Sequence, residues 1–132
     1  MDGPIDSHLR DALAGLPGLR LVLLFGSAGR GAATAESDID LAVLAEAPLS
    51  SAERSEIIAR VAERTGRPVD LVDLAQAGEP LLGEILRNGC TILARDSRAR
   101  AELLRRHLFD ATDFLPLRRR ILAARRRAWI GS

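Results

Sequence analysis

The 132-residue sequence has a single cysteine, Cys90, so no disulfide can form within the chain. That usage fits a reducing, cytoplasmic setting. Aromatic residues make up only 3%, so a core must be built from Leu, Ile, Val and Ala. No apolar run approaches the roughly 18 residues that a membrane-spanning helix needs. The N-terminal stretch carries Asp2, Asp6 and Asp11 rather than a basic region ahead of an apolar run, so no secretory signal is expected. Lysine is absent, and all 19 basic residues are arginine. There is no internal repeat and no low-complexity linker.

Apolar residues account for 47% of the chain, enough for a true core. A chain of this size buries roughly two-thirds of the surface that its unfolded form exposes. One domain over residues 1–132 is expected, with an Arg-rich helical C-terminal tail from about residue 97. The net charge of +1 conceals an asymmetry. From Arg95 onward 11 arginines face 4 acids, whereas residues 1–94 hold 8 arginines and 14 acids. Such a tail suits an acidic partner, and it equally suits a solvated helix face balanced by an acidic body.

Apolar spacing predicts a helix over Ile5–Leu16, closed by Gly15, Pro17 and Gly18. Leu19–Phe25 is a short apolar run stopped by Gly26 and reads as a buried strand. Asp38–Leu44 is a second strand. Ser50 or Ser51 caps a helix over Ala52–Arg64 that Gly66 closes. Val69–Leu74 and Cys90–Ala94 are further strands, separated by a helix over Pro80–Asn88. From Ser97 the pattern is helical and is interrupted at Pro116. Alternating helices and strands give an α/β or α+β class, a small sheet with helices packed on it. Cys90, in an apolar strand, is expected in the core. His107 has no acid at ligand spacing and is expected to pack on its helix, with His8 at the surface. Phe114, Leu115 and Leu117 are bulky for a helix break. They suit either a bend folded on the core or a partner contact.

The chemistry concentrates between Gly26 and Asp40. Asp38 and Asp40, two apart on a strand, point to one face with Cα atoms about 6.6 Å apart. Ile39 and Leu41 point the other way. Neighbouring carboxylates repel unless a cation neutralises them or one stays protonated. A hard divalent cation such as Mg²⁺ takes a few carboxylates plus phosphate oxygens. Two such acids suit a pair of metals roughly 3.5–4 Å apart. Gly26 and Ser27 follow a strand, where free backbone N–H groups and a hydroxyl suit a phosphate. Gly29 and Gly31 permit close backbone approach, and Arg30 adds a fixed positive charge. No Gly-Lys-Ser/Thr follows, so this is not a Walker P-loop.

Gly26-Ser27, Arg30-Gly31 and Ser37-Asp38-Ile39-Asp40-Leu41 together resemble the signature of the polymerase β-type nucleotidyltransferase superfamily. The short length is similar to its minimal nucleotidyltransferase (MNT) branch, which serves as antitoxin to HEPN-domain toxins. The resemblance implies a small mixed sheet of about four to five strands flanked by helices. It implies nucleotide transfer, usually of AMP from ATP, with two Mg²⁺ ions. Asp38 and Asp40 would bind metal, and Gly26, Ser27, Arg30, Gly31 and Ser37 would bind the nucleotide. A third carboxylate on a later strand completes such a site. Asp70 and Asp73 are both available and, three apart, face opposite sides. Asp70 matches by position, which leaves Asp73 as a cap or surface acid. Ala28 and Gly29 stand where many relatives carry a basic residue, so Arg30 is the only cation of the loop.

The expected function is therefore an Mg²⁺-dependent adenylyltransferase antitoxin acting on a hydroxyl, by resemblance a tyrosine, of a partner HEPN toxin. The alternatives are an antitoxin that masks its toxin without catalysis, or a nucleotidyltransferase subunit acting on RNA or a small molecule. Arg118–Arg120 and Arg125–Arg127 suit RNA or an acidic toxin. Trp129 alone interleaves an aromatic among them, which supports base stacking poorly.

Overall fold

The computed structural model describes residues 4–26 and 38–109. Helix α1 (Pro4–Leu13) leads into strand β1 (Leu19–Phe25) and then strand β2 (Ile39–Ala45). Helix α2 (Ser51–Thr65) connects β2 to strand β3 (Val69–Asp73). Helix α3 (Leu81–Asn88), strand β4 (Cys90–Ala94) and a last helix α4 (97–109) follow. The ends have local causes. Ser50 Oγ accepts from the Glu53 backbone N–H at 3.1 Å while Glu53 Oε1 accepts from the Ser50 N–H at 2.9 Å. This capping box satisfies two donors that the first turn of α2 would leave orphaned. Gly66 closes α2 in the left-handed region, φ 68°, where a side chain is disfavoured.

The strands form one sheet in the order β3-β2-β1-β4. β1 is antiparallel to β2 and β4, and β2 is parallel to β3 through the α2 crossover. The two central strands are buried on both faces, which is why Leu19–Phe25 reads as an apolar run rather than as an alternation. Two apolar clusters result. Val22, Leu24, Ile39, Leu41 and Val43 pack against Leu9 and Leu13 of α1 and Ile57 and Val61 of α2. Leu21, Leu23, Ala42 and Leu44 pack against Leu82, Ile85 and Leu86 of α3 and Ala99 and Leu103 of α4. Each fully buried Leu or Ile contributes about 1.5–3 kcal/mol. The fold is thus a mixed sheet between two helical layers, as the sequence suggested.

Two expectations are corrected. Cys90 is exposed rather than in the core, because β4 is an edge strand and its first residue stands at the rim. His107 does have an acidic partner. Its Nδ1 meets Glu79 Oε1 and lies 3.1 Å from Glu79 Oε2, with the two side chains only 18% and 22% exposed. A sequence separation of 28 hides that pair from any local reading. His8 is at the surface as expected.

Part of the arginine excess fastens the fold. Arg95 donates to the carbonyls of Leu16, Leu19 and Ala14, and Arg100 to that of Leu86. Arg106 donates to Leu74 O at 2.5 Å and Ala77 O at 3.1 Å. Arg20 on β1 meets Asp96 Oδ2 at 2.6 Å and Glu102 Oε2 at 3.0 Å. Asp96 also accepts the Arg98 backbone N–H at 2.9 Å at the start of α4. That backbone hydrogen bond, and then the Arg20 guanidinium, hold the Asp96 carboxyl below its usual range. The break at residues 110–117, both later arginine runs and Trp129 lie outside the described residues.

Candidate active site

β1 ends, and β2 and β3 begin, at the same end of the sheet. The ladders set Phe25 opposite Asp40, and Asp40 beside Asp70. Directly paired residues share a face, and neighbouring strands lie about 4.8 Å apart. Phe25, Asp40 and Asp70 therefore form a row across three strands. Asp38 stands immediately before β2, two residues from Asp40, and is exposed. A hydrogen bond of 2.8 Å from the Ile39 N–H to Pro68 O ties the start of β2 to the approach to β3. Ile39 and Leu41, both fully buried, anchor the opposite face, so the acids stand on a rigid strand.

Gly26 is shaped by Asp40. Its φ is +70°, and a Cβ built there would fall 2.1 Å from Asp40 Oδ2 and 3.0 Å from Asp40 Cγ. The carboxylate passes directly over the glycine backbone. Only a residue without a side chain permits both the backbone angle and this approach.

The Asp40 carboxyl is held above its usual range. Burial is the largest cause, followed by the negative charges of Asp70 and Asp38, and all three push the same way. The sequence reading did not single out Phe25. This half-buried residue belongs to the apolar surroundings of Asp40, and its only signal was its place directly before Gly26.

Asp70 and Asp73 separate as their spacing required. Asp70 is exposed beside Asp40, whereas Asp73 is buried on the other face. Asp73 accepts the backbone N–H groups of Leu49 at 2.9 Å and Ala75 at 3.0 Å. It is a cap, as one of the two expectations had it, but an interior one and not a surface acid. Among the described residues, no three acidic, histidine or cysteine side chains close around one ion-sized space. Donor chemistry nonetheless fits a hard divalent cation. Asp38, Asp40 and Asp70 offer oxygen alone, two of them are open to solvent, and their mutual repulsion is what a cation relieves. Ser27, Arg30, Gly31 and Ser37 lie outside the described residues, and Gly26 is the last described position before them.

A strand-end glycine is moulded on Asp40, with Asp38 just before the same strand and Asp70 on the next. The family model Polymerase beta, Nucleotidyltransferase matches residues 8–98, more than half of the chain, and the chain belongs to this family. Over 74 residues it is 40% identical to the protein adenylyltransferase MntA of Shewanella oneidensis, a match covering 56% of this chain and 53% of MntA. The chain thus spans about half the length of that curated relative. A crystal structure of a toxin–antitoxin with AMP-PNP contains a chain that superposes with a TM-score of 0.73 at 27% identity, covering 90% of this chain and 96% of the other. A chain of the toxin–antitoxin MntA–HepT gives a TM-score of 0.68 at 25% identity, covering 91% and 95%. No described helix is long and apolar enough to cross a membrane.

Proposed function

We propose that this chain is a cytoplasmic adenylyltransferase antitoxin that transfers AMP from ATP to a hydroxyl, by resemblance a tyrosine, on a HEPN-domain toxin. The observation that carries the reading is the row of Asp40 and Asp70 across parallel strands, with Asp38 two residues away and Gly26 beneath Asp40. The kinship with MntA and with a toxin–antitoxin chain crystallised with AMP-PNP supports the donor and the partner.

In this reading Asp38, Asp40 and Asp70 hold Mg²⁺. When bound, the metal neutralises triphosphate charge and lowers the pKa of the acceptor hydroxyl. The chain's own residues supply position. Gly26 brings backbone against the triphosphate, with Ser27, Arg30, Gly31 and Ser37 as its further contacts. Asp70, solvent-open within the row, faces the incoming acceptor. The acceptor hydroxyl gives its proton to solvent as its oxygen attacks the α-phosphorus, the bond from that phosphorus to the leaving oxygen breaks, and pyrophosphate departs with the electron pair. Orientation and charge compensation carry most of such a reaction. Residues 1–132 act as one domain, and the acceptor comes from another protein. The 132 residues contain no tyrosine, so a tyrosine acceptor lies outside them.

Incubation with labelled ATP, Mg²⁺ and the product of the neighbouring gene tests this. Wild type is expected to label the partner, and Asp38→Ala plus Asp40→Ala to abolish labelling. Equal labelling by both proteins would refute the assignment. Toxin rescue by the double variant would favour masking over transfer.

A further inference from the structure

Helix α4 buries one stripe and exposes another. Ala99, Leu103 and, partly, Arg106 and His107 face the sheet. On the opposite side Ala101, Leu104 and Leu108 recur at spacings of three and four and are exposed, Leu104 by 46% and Leu108 by 54%. Phe109, 67% exposed, lies about 100° round the helix from Leu108, beside Arg105. Leu81, in the first turn of α3, is 37% exposed as well. That turn is held to α4 by the Glu79–His107 pair, whose ring sits over Gly83 so closely that a Cβ there would lie 2.4 Å from His107 Cε1. Glu79 Oε2 also accepts the Gly83 N–H at 3.2 Å. The stripe is therefore mounted on a fixed two-helix platform.

Spacing of this kind fits the groove of another helix. The charges beside it select the partner. Arg100 and Arg106 turn to backbone carbonyls and Glu102 to Arg20, whereas Arg105 and Arg98, the latter near Asp96, stand exposed along the stripe. Two copies of this helix would set Arg98 and Arg105 against their own equivalents. An amphipathic helix with acidic flanks would meet them with opposite charge.

The geometry points to the α4 stripe as a docking surface for an acidic amphipathic helix of the partner protein. This rests on the proposed function for the partner's identity alone. The surface lies outside the carboxylate row, and docking and transfer are separable by experiment.

The test uses the full chain and a HEPN-domain protein, the product of the neighbouring gene where that gene encodes one. Leu104→Asp with Leu108→Asp is expected to weaken binding by about 30-fold or more, as loss of a buried anchor does. Arg98→Glu with Arg105→Glu is expected to slow association by about tenfold at low salt, an effect that high salt erases. Both pairs of positions are exposed, so the melting temperature and AMP-PNP binding should stay at wild-type values. In parallel, Leu104→Cys in a Cys90→Ser background is expected to react with a maleimide quickly in the free chain and at least about tenfold more slowly in the complex. Unchanged affinity in the Leu104/Leu108 variant overturns the inference and leaves the proposed transfer standing. Failure of the wild type to bind also overturns it, whereas binding without labelling sinks only the transfer. If the thiol introduced by Leu104→Cys is protected in the free chain at all concentrations, the chain's own residues 110–132 cover the stripe. Protection that grows with concentration means a second copy. Either result overturns the inference.

Discussion

Gly26→Ala is the sharpest single perturbation of this protein. It imposes two separable costs. The first is backbone strain, since a φ of +70° is unfavourable for any residue with a Cβ. That is about 1–2 kcal/mol. The second is steric. The new methyl would stand 2.1 Å from Asp40 Oδ2, whereas ordinary contact begins at 3.4 Å. The carboxylate must therefore move by more than about 1 Å. Asp40 can rotate away at a rotamer cost of about 0.5–1.5 kcal/mol. The fold is thus expected to survive with a loss of about 2–3 kcal/mol. Catalysis is not expected to survive, because a misplacement of about 1 Å in a positioning group costs about 100-fold. Gly66→Ala is the matched control. Its φ is +68°, yet nothing lies within 4 Å of the added Cβ. It should show the backbone cost alone and transfer AMP as wild type does. The assay pairs thermal unfolding with initial rates of label transfer. If Gly26→Ala retains activity within about threefold of Gly66→Ala, against the roughly 100-fold loss expected, the contact with Asp40 does not position the acid and the reasoning fails.

Other outcomes follow from the same geometry. The raised pKa of Asp40 means that the folded chain holds this proton more tightly than the unfolded chain does. The resulting stabilisation is complete below the ordinary value of 3.8 and is lost as pH rises through the raised value. Ionised Asp40 thus opposes folding at neutral pH. Asp40→Asn should raise the melting temperature near neutral pH in cation-free buffer, with a gain that shrinks as the pH falls toward the ordinary carboxylate range; a lower melting temperature near neutral pH would contradict this. Asp70→Asn should abolish AMP transfer with little loss of stability. Asp73→Ala should do the reverse, destabilising by about 1–3 kcal/mol because the Leu49 and Ala75 N–H groups lose their acceptor; urea unfolding of both variants decides the assignment. Ser50→Ala removes the acceptor of the capping box and should cost about 1 kcal/mol in the same measurement.

What could be read without coordinates was what depends on near neighbours in the chain. The run Leu19–Phe25 ends at a glycine and is a strand over those same residues. Asp70 and Asp73 differ by an odd number of positions, so their separation onto two faces followed from strand geometry alone. Ser50 and Ser51 could not be told apart until the bond to the Glu53 N–H was seen. What could not be read depends on the order of the strands. β4 and Leu19–Phe25 are both apolar, yet only β4 lies at the edge, and that decides the exposure of Cys90. The Glu79–His107 pair and the carbonyl contacts of Arg95, Arg100 and Arg106 join residues far apart in the chain. No local pattern marks an arginine that will cap a distant backbone.

Two of the arginine fastenings share a location. Arg20, Arg95 and Asp96 sit where β1 begins, whereas Gly26 and Asp40 sit where it ends. Strand β1 from Leu19 to Phe25 spans about 20 Å at the usual rise per residue. That is more than twice the screening length of about 8 Å at physiological salt. The sheet acts as an insulator. Arg20 and Arg95 stand too far away to compensate the acids at its other end, whose mutual repulsion a cation that can come and go would relieve.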